Sequence, residues 1–152
     1  MEWSEFDPGK QLWSIPAVKM KMRQAHVIPL SWQSLGLLEE LRPLTGQGTW
    51  CFPSIRTCAR PLLETTMNAA LRRLGYTKDE VCPHGFRSTA STLLNESGLF
   101  NPDAIEAQLA HRPRGGRVRA TYMRGEFFEE RIALMAWWSD YLDQLAGQSR
   151  AA

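Results

Sequence analysis

His84-Gly85-Phe86-Arg87-Ser88-Thr89-Ala90-Ser91 runs on through Thr92-Leu93-Leu94-Asn95-Glu96-Ser97 to Gly98, and predicts a helix from about His84 to Glu96. Gly98 ends it, because glycine enters the left-handed conformation that closes a helix without steric penalty. On the C-terminal side, Pro102 supplies the first turn of a further helix carrying Ile105, Leu109 and Ala110. A last long helix is expected from roughly Glu126 to Ala146. It has one apolar stripe through Phe128, Ile132, Met135 and Leu142, and another through Phe127, Leu134, Trp138, Tyr141 and Leu145. So wide an apolar surface implies a helix buried on most sides or docked on a second molecule. On the N-terminal side, Thr65 or Glu64 opens a helix through Met67, Ala70, Leu71 and Leu74 that stops at Gly75.

Further upstream the period changes. Trp13-Ser14-Ile15 and His26-Val27-Ile28-Pro29-Leu30 are short apolar stretches separated by the basic segment Lys19 to Arg23, the pattern of a hairpin with its cations near the bend. Ser31 is then the N-cap of a helix through Leu35, Leu38 and Leu41, expected to stop at Pro43, where the ring clashes with the preceding turn. Thr45 to Cys51 reads as a loop, with Phe52-Pro53-Ser54 as a short structured exit. The expected fold class is α+β and mainly helical, with a small antiparallel sheet at the N-terminus followed by a helical bundle.

Length and composition bound the function. A chain of 152 residues suits one domain with a sizeable core and is short for two. Its 43% apolar and 22% charged content match ordinary globular proteins, which excludes disordered, collagenous and fibrous classes. No apolar run reaches the roughly 18 residues that a membrane helix needs. The opening Met1-Glu2-Trp3-Ser4-Glu5-Phe6-Asp7 is acidic where a signal peptide would be basic. Cys51, Cys58 and Cys82 form no CxxC pair, and an odd count argues against a disulfide framework. Together these features imply a soluble protein of a reducing cytoplasm. Net charge is only +2, yet Arg112, Arg114, Arg117, Arg119 and Arg124 crowd a span free of acidic residues, and such a cluster attracts polyanions. A solvated, arginine-rich loop is the plainer alternative.

Three places carry chemistry-bearing residues: Lys21 in the hairpin, His84 to Arg87 opening a helix, and His111 with Tyr122. Each alone is weak, since a single His or Tyr is more often a packing residue. Their order is informative. Lys-Met-Lys-Met-Arg-Gln-Ala-His-Val-Ile-Pro-Leu-Ser (19–31), His-Gly-Phe-Arg-Ser-Thr-Ala-Ser (84–91), Gln-Leu-Ala-His (108–111) and Arg-Ala-Thr-Tyr-Met-Arg-Gly-Glu-Phe (119–127) follow one another. This succession resembles the tyrosine recombinases, specifically the prophage-type integrases, over essentially the whole chain, including Phe52-Pro53-Ser54 and Trp137-Trp138.

The resemblance implies roles. Tyr122 matches the nucleophile that attacks the scissile phosphate and forms a 3′-phosphotyrosyl link. Arg87 matches the second of the family's two arginines, which bind the non-bridging phosphate oxygens. His84 stands where the family has a base or proton manager, and His111 where a residue hydrogen-bonds the phosphate. Lys21 fits the hairpin lysine that protonates the departing 5′-oxygen, with Lys19 as runner-up. Lys19, Arg23, Arg112, Arg114, Arg117 and Arg119 are DNA-contact candidates. The implied partner is double-stranded DNA, with a tetramer on DNA as the family's assembly. No cofactor is implied, and no P-loop or zinc-ligand spacing occurs in the sequence.

The residue types suit that chemistry in their own right. A phenol of pKa near 10 is only about 0.1% ionised at neutral pH and needs help to lose its proton. The transition state gathers negative charge on phosphate oxygens, which guanidinium forks stabilise. The leaving alkoxide needs an acid, and a lysine on a flexible stem can reach it.

Two departures stand out. Family members carry another arginine in a context like Thr-Gly-x-Arg-x-x-Glu, and no residue here matches it; Met1-Glu2-Trp3-Ser4 resembles the stretch just after. Residues 1–152 are therefore expected to be one truncated catalytic domain, nearly inactive alone, since losing such an arginine costs about 100- to 100,000-fold in rate. The interval from His111 to Tyr122 is also slightly long, with Gly115-Gly116 inside it. The competing readings are a non-catalytic DNA-binding or protein-interaction remnant and, less favoured by the motif wording, a type IB topoisomerase.

Overall fold

The computed structural model describes residues 1–111 and 127–151. Three antiparallel strands lie in sequence order: β1 (Phe6–Asp7), β2 (Leu12–Ile15) and β3 (His26–Pro29). In β2 and β3, Trp13 faces Ile28 and Ile15 faces His26, which is the expected hairpin. Its bend holds a 3-10 turn at Ala17–Lys19, and Arg23 adopts a left-handed φ of 53° with its N–H donated to the Met20 carbonyl. Strand β1 was not expected. At two residues it is too short to show an alternation, and it forms because the Asp7 carboxylate accepts the Lys10 backbone N–H at 3.0 Å and closes the turn into β2.

Five helices follow among the described residues: α1 (Trp32–Thr45), α2 (Glu64–Arg73), α3 (Pro83–Ser97), α4 (Pro102–Gln108) and α5 (Phe128–Ala151). The expected fold class holds. Ser31 caps α1 as anticipated, its Oγ accepting the Ser34 N–H at 3.3 Å, and Ser139 of α5 donates to the same oxygen at 2.7 Å. However, α1 does not stop at Pro43 but continues to Thr45. Proline withholds one N–H, a loss that a last turn tolerates when tertiary contacts hold it. Here the Trp3 indole N–H donates to the Thr45 carbonyl at 3.1 Å, the Thr45 hydroxyl donates to the Cys51 carbonyl at 2.9 Å, and Arg42 lies 4.7 Å from the Trp3 ring centroid.

The core sits where α3, α4 and α5 meet. Leu94, Ile105 and Leu134 are almost fully buried, with Phe100, Leu109, Met135, Trp137 and Trp138 packed around them. Each such side chain contributes about 1.5–3 kcal/mol relative to an exposed one. The two stripes anticipated on α5 are not both inside: Leu134 is buried, whereas Ile132, Leu142 and Leu145 are exposed. Arg131 takes an interior place instead, at 2% exposure. Its Nε donates to the Gln108 side-chain oxygen at 2.8 Å and its Nη2 to the Val27 carbonyl. With the His26 ring 3.3 Å from the Gln108 carbonyl, this network ties the hairpin to the end of α4.

The N-terminal segment is fastened by Glu5, which is buried. Burial pushes its pKa up, but hydrogen bonds from the Lys19 ammonium, the Trp13 indole and the Glu2 backbone N–H outweigh it and hold the carboxyl at about 2. A carboxyl depressed in the folded state stabilises above its unfolded pKa and loses that contribution as pH falls through the folded one. Stability is therefore expected to decline by on the order of 2–3 kcal/mol between about pH 4.5 and pH 2 on account of Glu5. Urea midpoints across that range check this: the Glu5→Gln variant should lack that part of the slope.

Candidate active site

Two of the chemistry-bearing residues are brought together by the way α3 starts and α4 ends. Cys82 caps α3, its Sγ accepting the Gly85 N–H at 3.3 Å, and Pro83 sits in the first turn. That start places His84 and Arg87 one turn apart, on neighbouring positions of a helix face, and both are exposed. Helix α4 is capped by Asn101, whose side-chain oxygen accepts the Asp103 N–H at 2.9 Å. At its other end Ala110 takes a left-handed φ of 50°, and the His111 N–H bonds back to the Glu106 carbonyl at 3.0 Å. A left-handed residue other than glycine costs roughly 1–2 kcal/mol. What it does here is turn the chain back over the helix end, so that the His111 ring returns to Glu106.

The result is a chain of three side chains. Arg87 Nε–H donates to His111 Nε2 at 3.2 Å, and His111 Nδ1 lies 2.9 Å from Glu106 Oε2. The His111 and Glu106 side chains are 40% and 36% exposed, so the group is open to a ligand. The His84 ring makes no hydrogen bond among the described residues; only its carbonyl is engaged, accepting from the Ser88 hydroxyl at 3.5 Å.

The two hairpin lysines differ. Lys19 is hydrogen-bonded to both Glu2 and Glu5 and lies 5.6 Å from the Trp50 ring centroid. Those two carboxylates, Glu2 the more strongly, push its pKa up. Lys21 is exposed and has no ion pair among the described residues. Arg23 is exposed at its left-handed turn. Tyr122, Arg112, Arg114, Arg117 and Arg119 lie outside the described residues. Among the described residues no three His, Cys, Asp or Glu side chains are grouped to hold a metal ion, and no helix is long and apolar enough to cross a membrane.

Two participants were not expected. Glu106 precedes His111 by five residues, a spacing that does not meet on a straight helix and meets here only because of the Ala110 turn. Arg131 belongs to neither apolar stripe of the last helix, and a charged residue in a core leaves no trace in an apolar pattern.

An exposed guanidinium beside an imidazole offers N–H donors of the kind that can receive an anion. The phage integrase family matches residues 1–123. The chain is 44% identical to the integrase of Enterobacteria phage P4 over 155 residues, covering 93% of this chain and 35% of that protein. It is 44% identical to prophage integrase IntA of Escherichia coli (strain K12) over 138 residues, 91% of this chain and 33% of that one. To the integrase of Shigella phage Sf6 it is 35% identical over 145 residues, 95% and 37% of the two chains. The chain belongs to the phage integrase family. It spans about a third of the length of the curated relatives it matches. No solved structure matches it.

Proposed function

We propose that residues 1–152 belong to the catalytic domain of a tyrosine-type site-specific recombinase, which cuts and rejoins double-stranded DNA through a 3′-phosphotyrosyl intermediate. The observation that carries this reading is the contact between Arg87 and His111, distant in sequence and exposed together at one helix end. In this reading the Tyr122 oxygen attacks phosphorus while Arg87 and His111 hold the non-bridging oxygens. His84, one turn from Arg87, manages the phenolic proton. The P–O bond to the 5′-oxygen breaks, and Lys21 delivers the proton that the alkoxide takes. Rejoining runs the same steps backwards, and the phosphotyrosine conserves the bond energy, so no cofactor takes part.

The lysine assignment is supported by the engagement of Lys19 with two carboxylates, which leaves Lys21 as the hairpin lysine with no ion pair among the described residues. The hairpin is in turn held to α4 through His26, Val27, Gln108 and Arg131. Arg23, Arg112, Arg114, Arg117 and Arg119 contact the DNA backbone, and the working form is an assembly of several copies on DNA in the cytoplasm. No residue of the chain is assigned to the family's first arginine, so strand transfer by these residues alone is slow.

The test is covalent capture on duplexes randomised around one 5′-bridging sulfur, with guanidinium ion added in place of the unassigned arginine. A thiol of pKa about 8.5 leaves without an acid, whereas an alcohol does not. On ordinary duplex, Lys21→Ala is expected to slow adduct formation by about 100- to 10,000-fold. On the sulfur substrate it should match the parent chain. Duplex binding with no adduct under any condition would favour the non-catalytic DNA-binding remnant.

A further inference from the structure

The contact between Arg87 and His111 fixes where the imidazole carries its proton. A guanidinium has only N–H groups to offer, so His111 Nε2 can sit 3.2 Å from Arg87 Nε only as a lone-pair acceptor. The single proton of a neutral ring is then on Nδ1, directed at Glu106 Oε2 2.9 Å away. The free site therefore holds the Nδ1–H tautomer of His111 between a guanidinium and a carboxylate. These are the two charged side chains hydrogen-bonded to the ring among the described residues.

That state cannot greet a phosphate. A lone pair at Nε2 repels a non-bridging oxygen, and the Nε–H of Arg87 is occupied. For His111 to donate to the phosphate through Nε2, Arg87 has to turn its fork onto the incoming oxygens, and Nε2 has to take a proton from solvent. The ring becomes an imidazolium with an anion on each side, the phosphate at Nε2 and Glu106 at Nδ1. A carboxylate on the far nitrogen both orients a histidine and supports its charged form.

We propose that Glu106 is a positioning residue that orients the His111 ring by accepting its Nδ1–H in the free site and supplies the counter-charge for its imidazolium when a DNA phosphate displaces Arg87. The role rests on the recombinase reading given above. In the open site, solvent screens the pair; bound DNA excludes that water and strengthens it. Phosphate entry and the uptake of one proton by His111 are thus a single event.

Nitrogen-detected NMR of the His111 ring at pH 7 tests this on the intact chain, without and with a saturating 20-base-pair duplex at low salt. His111→Gln identifies the signals. The free chain is expected to show the Nδ1–H tautomer and the duplex-bound chain a ring protonated at both nitrogens. Glu106→Gln keeps an oxygen for Nδ1–H but no charge, so it should retain the free tautomer and lose protonation on DNA. Glu106→Ala keeps the Arg87 donor that holds Nε2 as an acceptor, so it should retain the Nδ1–H tautomer in the free chain and, like Glu106→Gln, lose protonation on DNA, with thermal melts confirming that both variants fold. An Nε2–H ring in the free parent chain, or a ring that stays neutral on bound duplex, or protonation unchanged in Glu106→Gln, overturns the proposal while leaving the recombinase reading standing. A chain that binds no duplex overturns both.

Discussion

Tyr122→Phe is expected to remove covalent DNA capture altogether while leaving duplex affinity within about twofold. In the proposed mechanism the substitution deletes the oxygen that forms the new P–O bond and keeps the ring. DNA affinity comes chiefly from cationic contacts with the phosphate backbone, which the change does not touch. The chain has three tyrosines, and the other two make poor substitutes. Tyr141 stacks on Trp137 and Trp138, at centroid distances of 5.3 and 5.9 Å, as part of the packing of α5. Tyr76 follows α2, its N–H closing that helix on the Leu71 carbonyl at 3.2 Å. Adduct yield on a denaturing gel and duplex binding at the same salt read the two effects separately. An adduct that survives in Tyr122→Phe would move the nucleophile elsewhere.

Arg87→Ala is expected to slow single-turnover adduct formation by about 100- to 100,000-fold, the range for removing a fixed donor from developing negative charge. The bridging-sulfur duplex should not rescue it, because in the proposed mechanism the guanidinium acts on the non-bridging oxygens and not on the leaving group. Arg87→Lys keeps the charge but loses the planar fork, and should recover only part of the rate. Binding should fall far less than rate, since one phosphate contact among many is lost. This split, together with the absence of sulfur rescue, separates Arg87 from Lys21. If rate and affinity fell in equal proportion, Arg87 would be a binding residue without a share in the chemistry.

Much of the fold was legible because helix ends are written in single residues. Ser31, Gly75, Gly98 and Pro102 mark boundaries by side-chain capping, by left-handed backbone or by a missing N–H, and the structure uses them in those ways. What failed to show was set by tertiary contact. Pro43 does not end α1, because Trp3 and Cys51 hold the last turn from outside the helix. Strand β1 exists through an Asp7 turn rather than through any alternation of its own. In the site, Arg87 and His111 were named from motif order, and the structure places them in contact. Glu106 was invisible because its approach to His111 depends on the φ of Ala110, a residue with no preference for that conformation. Arg131 was invisible because its burial is made possible by acceptors on Gln108 and Val27, both remote in sequence.

The central claim is that Tyr122 becomes joined to DNA. Mapping the adduct tests it most directly: chain captured on the bridging-sulfur duplex is digested with nuclease and protease, and the modified peptide is sequenced by mass spectrometry. The expected result is a nucleotide linked through its 3′-phosphate to Tyr122. A nucleotide on Tyr76, Tyr141 or any other residue, or no modified peptide from a chain that binds the duplex, would contradict the account.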